Sequence, residues 1–315
     1  MIVTVTANPS VDRTIDLPGP FSRGDVLRAT GVRSQPGGKG INVSRVVAEA
    51  GLATLALLPA RDGDRLLHQL DAAALNYRTV PIDDDVRTNL TLTEPNGITT
   101  KINEAGARLS AAVLTQLTEL IVDAASAAQW VALCGSLPPG VPADWYAVVA
   151  DRLHAAGVPV AVDTSGPPLT AIAGARPELL KPNAFELAEL TGDDGAAMEG
   201  AALLGDVTRT AGAARTLAEQ TGGAVLTTLG AAGALLTLAS GSWFATPPRI
   251  AIRSTVGAGD SSLAGYLIAQ QRGGDPAEWL RTAVAYGSAA AALPGTTPPT
   301  PGDLNLAGVH VHPVR

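Results

Sequence analysis

The sequence predicts an α/β fold: a doubly wound, mostly parallel sheet with helices on both faces, and a small β-sheet lid above it. Three observations carry this. Short apolar runs rich in Val, Leu and Ala alternate with longer amphipathic runs along the chain. Several short runs end in a glycine-bearing or proline-bearing turn that opens a helix. Four strand-like stretches in the first third break the alternation, and these predict the lid. No repeat and no linker separates the elements, so the expectation is a single α/β domain, 1–315. The lid is expected from inserted segments at about 11–35 and 85–105.

The elements follow in order. Met1–Thr6 is the first strand, and Asn8-Pro9-Ser10-Val11-Asp12 leaves it where ligands gather in open α/β sheets. Asp12 suits sugar hydroxyls, because a carboxylate accepts and a hydroxyl donates; an Asx turn is the competing reading. Val11–Leu17 and Val26–Ser34 alternate loosely. Thr88–Glu94 and Ile98–Asn103, joined by Pro95-Asn96-Gly97, read as a hairpin. Arg87, Lys101 and Asn103 fall on or near this lid.

Pro36-Gly37-Gly38-Lys39-Gly40 opens a helix, and its glycines allow close backbone approach to a ligand. Asn42 falls in the first turn. A flexible loop before a helix is the plainer reading. Ala53–Pro59 is a strand and Asp64–Leu75 a helix. Ser110 N-caps a helix to Ala125. Gln129–Cys134 is a buried strand ending in the rigid turn Gly135-Ser136-Leu137-Pro138. Pro142 begins the next helix, at a position that tolerates proline. Val158–Val162 is a strand with Asp163 at its end. His154 reads as structural, and the four histidines show no ligand spacing.

Leu179-Leu180-Lys181-Pro182-Asn183 is a strand and turn before a helix. Asn183 and Glu186 share one face of its first turn. They read either as a capping box or as a pair that orders water around a nucleotide-bound Mg²⁺. Asp206–Gln220 is helical. Ala224–Leu229 and Ala234–Ala239 are strands around Gly230-Ala231-Ala232-Gly233.

A β-like run, Arg249–Arg253, leads into Ser254-Thr255-Val256-Gly257-Ala258-Gly259-Asp260, and Leu263–Gln271 is helical. The first turn of such a helix carries unpaired N–H groups and partial positive charge, which suits a phosphate. Asp260 at that mouth suits proton removal from an attacking hydroxyl. Three readings compete. Asp260 could be a helix-start acid. A dinucleotide fingerprint lacks its third glycine, and a Walker-type loop lacks its Gly-Lys-Ser/Thr. Pro276–Leu293 is the last predicted helix.

Composition bounds the function. Of 315 residues, 46% are apolar and 16% charged, which is globular. A net charge of −7 without a basic cluster argues against nucleic acid. Cys134 is the only cysteine, so there is no intramolecular disulfide. The N-terminal strand lacks the basic region of a secretory leader. The uncharged stretch from Gln220 to Pro248 is broken into strand-length pieces, which argues against a membrane helix. A cytoplasmic location is the expectation. The only lysines are Lys39, Lys101 and Lys181 while arginine is plentiful, which reads either as lysine kept where a compact ammonium is wanted or as three surviving surface lysines.

Taken together, Pro36-Gly37-Gly38-Lys39-Gly40-Ile41-Asn42-Val43, Asn183-x-x-Glu186 and Ser254–Asp260 resemble the ribokinase-like (PfkB-type) carbohydrate kinase family. The resemblance runs from Asn8 to about Pro299. Within the family the chain is most similar to the phosphosugar branch and there to 1-phosphofructokinases. Asn8–Asp12, Gly135–Pro138, Lys181-Pro182-Asn183 and Ser254 carry that similarity. Asp25 stands where some 6-phosphofructokinases have lysine.

The resemblance implies ATP-dependent phosphorylation of a sugar phosphate, fructose 1-phosphate first. A 6-phosphofructokinase, a tagatose-6-phosphate kinase and a non-catalytic sugar-phosphate binding protein are the alternatives. It implies Asp260 as base, with Gly257, Ala258 and Gly259 as anion hole. Asp12, Gly37, Gly38, Asn42 and Ser136 would hold the sugar. Lys39, Arg87 and Lys101 would meet its phosphate, and Asn103 would also bind the substrate. Lys181, Asn183, Glu186, Thr228, Gly230, Gly233, Ser288 and Ala291 would serve ATP. Mg²⁺ would be held through water by Asn183 and Glu186. A monovalent cation such as K⁺ and a homodimer through the lid complete what the resemblance implies.

Overall fold

The structure is a computed structural model and describes residues 1–314. In chain order the elements are β1 (Ile2–Thr6), β2 (Ser10–Asp16), β3 (Gly31–Gly37), α1 (Lys39–Glu49), β4 (Thr54–Ala60), α2 (Arg65–Ala72) and β5 (Tyr77–Pro81). Then come β6 (Arg87–Thr93), β7 (Thr99–Asn103), α3 (Ala111–Ala125), β8 (Trp130–Cys134), α4 (Trp145–Ala155), β9 (Val160–Asp163), α5 (Pro167–Ile172) and β10 (Leu179–Leu180). The chain continues through α6 (Ala184–Thr191), α7 (Gly195–Leu203), α8 (Thr208–Thr221), β11 (Ala224–Thr228), β12 (Ala234–Leu238) and β13 (Gly241–Thr246). It closes with α9 (Ala258–Arg272), α10 (Pro276–Ala291) and β14 (His310–Val314).

Ten strands form the main sheet in the order β14-β13-β12-β11-β10-β9-β8-β1-β4-β5. The seven from β5 to β11 pair in parallel, and β12 to β14 add antiparallel strands at one edge. Strand periodicity of two sends alternate residues to opposite faces. Val3, Val5, Val131, Leu133 and Val225 pack with Leu117, Tyr146, Leu187 and Leu217 on one face. Ile2, Ala132, Leu226 and Leu236 pack with Val43, Val47, Leu263, Leu267 and Val284 on the other. Helices therefore cover both faces, the doubly wound arrangement.

The second sheet has the order β3-β2-β6-β7. Cross-strand partners share a face, and the register sorts the lid by polarity. Gln35, Asp12, Asn89 and Asn103 form one row across all four strands. Val32, Ile15 and Leu92 form a row on the opposite face, and the Leu90–Ile102 pair lies on that face too.

Several boundaries differ from the sequence expectation. Arg249–Arg253 is not a strand. It bonds instead to a helix end, with Arg253 N–H donating to the Ala291 carbonyl. The stretch Val26–Ser34 is strand only from Gly31, and the strand runs on to Gly37. The helix expected at Pro142 begins at Trp145. Helix α9 starts at Ala258, ahead of the apolar run at Leu263. β5, β13, β14, α5 and α7 were not anticipated. β5 follows its helix after only a few residues, and α5 and α7 are short.

Candidate active site

The C-terminal ends of the parallel strands converge on one crevice, where open α/β sheets bind ligands. Asp163 ends β9, Lys181 follows β10, Thr228 ends β11 and Ser136 follows β8. Facing them are the N-termini of α1 and α9.

Gly257 caps α9 with φ 81°, a left-handed conformation that favours glycine. The N–H groups of the first turn have no partner inside the helix. Asp260 is the third residue of that turn and is only 7% exposed. Asn42 Nδ2, from the first turn of α1, donates to Asp260 Oδ2 at 2.8 Å. Burial, with the nearby Asp163 charge second, pushes the Asp260 carboxyl up to about 6. Lys39, the Asn42 hydrogen bond and Lys181 pull in the opposite direction and lose.

Asp163 is the hub beneath this turn. Its Oδ1 lies 2.6 Å from Lys39 Nζ and its Oδ2 lies 3.0 Å from Lys181 Nζ. Burial alone would drive the Asp163 carboxyl up, but Lys181 and Lys39 outweigh it and hold it below the usual carboxylate range. Burial likewise opposes the Lys39 charge, and Asp163 with Asp260 reverses that, so the ammonium is held more firmly charged. Lys181 Nζ also lies 3.4 Å from where a Cβ on Gly259 would stand, so the missing side chain lets the ammonium lie against the first turn of α9. Sequence reading placed Asp163 at a strand end and gave it no role. Its position at the C-terminal edge of a parallel strand was the available signal.

The lid supplies the other side of the crevice. Asp12 stands over Gly37, where an added Cβ would meet Asp12 Oδ1 at 2.3 Å. Ser10 Oγ and Asn89 Nδ2 donate to the same Asp12 oxygen at 2.8 and 3.1 Å. Asn89, absent from the sequence expectation, thus orients Asp12; the two-residue alternation of β6 could have placed it on that face. Arg87 Nη1 and Nη2 donate to the carbonyls of Glu104 and Asn8 at 3.1 Å. Burial lowers the guanidinium pKa of Arg87, against the pull of Asp12 and Glu104. Ser136 Oγ accepts from Asn8 Nδ2 at 3.3 Å. Gly38 precedes α1 with φ 116°. Asn103 shares the row of Asp12, whereas Lys101 sits exposed on the edge strand β7, one row further out. The structure therefore brings Asp12, Lys39, Asn42, Asp163, Lys181 and Asp260 together and leaves Lys101 at the margin.

On the other side of the α9 turn lies a cavity of about 1090 Å³. Asn183, Thr228, Gly230, Gly233, Gly259, Ser288 and Ala291 all line it. Glu199 and Arg249 are the charged residues of the wall, and Phe185, Leu203, Leu204, Ile250 and Ile252 add an apolar rim. Four of these are more than half exposed, a rim suited to a planar base. Sequence reading missed the rim, because α7 was not recognised and Ile250 and Ile252 were assigned to a strand. Asn183 and Glu186 form a reciprocal capping box, each side chain accepting from the other's N–H at 2.8 Å. The box uses Glu186 Oε2 and leaves Oε1 outside it. Among the described residues no three His, Cys, Asp or Glu side chains group as a metal site, and no helix is long and apolar enough to cross a membrane.

A comparison with protein families matches residues 5–302 to the pfkB family of carbohydrate kinases. The chain belongs to the PfkB family. It is a sugar kinase, a phosphotransferase. The kinase is 37% identical over 292 residues to the 1-phosphofructokinase of Rhodobacter capsulatus, covering 90% of this chain and 88% of that one. It is 34% identical over 301 residues to the ATP-dependent 6-phosphofructokinase isozyme 2 of Mycobacterium tuberculosis, covering 94% and 85%. Among solved structures it is similar to phosphofructokinase-2 of Escherichia coli in complex with substrates and products. There the TM-score is 0.87 at 31% identity, over 96% of each chain. The kinase therefore has the ribokinase-like fold of its family, large sheet and lid included.

Proposed function

We propose that this kinase phosphorylates fructose 1-phosphate with ATP to give fructose 1,6-bisphosphate. The observation that carries the reading is Asp260. A carboxylate buried in the first turn of a helix, bonded by Asn42 and titrating near 6, is a base placed beside an anion site.

In this reading the acceptor sugar lies against Asp12, Gly37, Gly38 and Asn42, with its phosphate near Arg87 and Lys39. Asp260 takes the proton of the attacking hydroxyl. That oxygen forms the new bond to the γ-phosphorus, the bond from γ-phosphorus to the bridging oxygen breaks, and ADP departs. The N–H groups of Gly257, Ala258 and Gly259 stabilise charge on the transferred group. Lys181 supports the same charge from below Gly259. The nucleotide base occupies the apolar-rimmed cavity. Mg²⁺, when bound, neutralises phosphate charge. Asn183 and Glu186 would hold the ion through water, Glu186 by the Oε1 that the capping box leaves outside.

For the substrate, Asp25 is the supporting residue. It lies in the lid segment between β2 and β3, exposed and bonded by Ser22 Oγ at 2.5 Å. A carboxylate where some 6-phosphofructokinases have lysine supplies no cation for a 6-phosphate. The 34% identity to a 6-phosphofructokinase favours fructose 6-phosphate as the second reading. ADP release with Mg-ATP, measured on fructose 1-phosphate, fructose 6-phosphate and tagatose 6-phosphate, separates them. A roughly hundredfold preference in kcat/KM, about 2.7 kcal/mol, is expected for fructose 1-phosphate. Preference for a 6-phosphate overturns the substrate assignment and leaves the base in place. We further propose that the chain acts as one cytoplasmic domain and dimerises through the apolar face of its lid.

A further inference from the structure

We infer that Gln35 is a positioning residue that ties the lid to the anion-binding turn through Thr296. The inference rests on the kinase reading above and adds a residue outside the base, anion hole and phosphate contacts.

Gln35 ends the polar row of the lid, directly across from Asp12 in the β2–β3 register. Its side chain leaves the lid. Gln35 Oε1 accepts from Thr296 N at 3.2 Å and from Thr296 Oγ1 at 3.3 Å. The backbone is shaped for this contact. Gly295 has φ 61°, and a Cβ there would meet Gln35 Oε1 at 2.6 Å. A third bond fixes the same residue: Arg45 Nη1, one turn beyond Asn42 on α1, donates to the Thr296 carbonyl at 2.9 Å.

Thr296 in turn backs the anion turn. Its Cγ2 is the atom nearest to where a Cβ on Gly257 would stand, at 3.7 Å. The preceding loop is held from the same side, because Arg253 N and Ser254 N both donate to the Ala291 carbonyl at the end of α10. A chain of contacts therefore runs from Asp12 across one β pair to Gln35, then to Thr296, then to Gly257. When β3 lies in this position, the sugar-binding carboxylate and the anion hole are set by one connection. Gln35 needs only its acceptor oxygen for the task.

The test uses full-length protein and two substitutions. Gln35→Leu removes the acceptor at similar size, and Gln35→Glu keeps it. For Gln35→Leu, kcat/KM toward the sugar phosphate is expected to fall roughly tenfold to fiftyfold. Affinity for Mg-ATP measured without acceptor is expected to stay within about twofold. Gln35→Glu is expected to recover most of the loss. Amide hydrogen exchange supplies a readout independent of turnover. Gln35→Leu should speed exchange at Gly295–Thr297 and also at Val256–Ala258, and Gln35→Glu should speed neither. Should Gln35→Leu not fold, Thr296→Val removes one of the two bonds and should show the same pattern at smaller amplitude.

The inference is overturned by unchanged kinetics and exchange, by faster exchange confined to Gly295–Thr297, or by Gln35→Glu behaving like Gln35→Leu. If the unmodified protein phosphorylates no sugar phosphate, the kinase reading fails, and the exchange data still decide the connection.

Discussion

Asn42 Nδ2 and Asp260 Oδ2 are 2.8 Å apart and 218 positions apart in sequence. The bond joins the first turns of α1 and α9, which carry the two glycine-rich signatures. An N–H donor favours the charged carboxylate, so this bond holds the Asp260 pKa below the value that burial alone would set. Asn42→Leu removes the donor at similar volume. The acid limb of the kcat profile should then move to higher pH, by roughly half a unit to one unit. A pH–rate series on both proteins checks it, and a limb that stays or moves down would separate Asn42 from the base.

Replacing the proposed base should strike kcat. Asp260→Asn is expected to lower kcat by roughly 10²–10⁴ with KM for both substrates nearly unchanged. In the unmodified enzyme, activity should fall as pH drops below about 6, where Asp260 takes a proton. Near-normal turnover in Asp260→Asn would remove Asp260 from the role.

The same substitution should stabilise the fold at neutral pH. Asp260 binds its proton more tightly folded than unfolded, since its pKa rises from 3.8 to about 6. Such a group favours the folded state below the unfolded pKa, and that advantage is lost as pH rises through about 6. Above pH 6 the native state therefore carries an ionised, desolvated carboxylate. Asp260→Asn should raise stability by about 1–3 kcal/mol at pH 8, with the difference shrinking toward pH 4. Denaturant melts at the two pH values test it; a variant less stable at pH 8 would refute the strained-carboxylate account.

Asp163 should behave with the opposite sign. Its pKa is depressed by Lys181 and Lys39, so its contribution is present above the ordinary carboxylate range and lost as pH falls through and below it. Asp163→Asn leaves two lysines without their shared partner. Removing one member of a buried ion cluster costs about 3–5 kcal/mol, and a large drop in Tm is expected. Because Asp163 also raises the Asp260 pKa, any residual activity should show its acid limb shifted to lower pH. Melting curves and a pH–rate profile of the one variant check both signs.

What could be read from sequence divides along physical lines. Local signals were legible: the glycine turns before α1 and α9, the Asn183–Glu186 capping box, Ser110 as an N-cap and the β6–β7 hairpin all rest on neighbours in the chain. Long-range pairings were not. That Asp163 would bridge Lys39 and Lys181, or that Gln35 would reach Thr296, depends on strand order and register, which local periodicity does not encode. Arg249–Arg253 shows the limit from the other side. Its apolar alternation reads as a strand, yet no strand pairs with it, and Ile250 and Ile252 instead turn toward the large cavity.

The outer face of the lid yields the last prediction. Val32 and Ile102 are 50% and 51% exposed on the face that also holds Ile15, Leu90 and Leu92. Toward the base of the lid Val11 buries that face against Ile41, Leu58 and Leu66, so only its outer half lacks cover. β7 is exposed along its whole length and ends the sheet, leaving a strand edge beside the apolar patch. An uncovered apolar patch continuous with an open edge suits the proposed dimer, because a second copy would bury both. Ile102→Asp places a charge in that patch without touching the crevice. It should convert the protein from dimer to monomer in light scattering and raise KM for the sugar phosphate several-fold, because the lid then loses its support. The affinity for Mg-ATP should hold. A monomeric unmodified protein, or a variant that stays dimeric, would move the interface elsewhere.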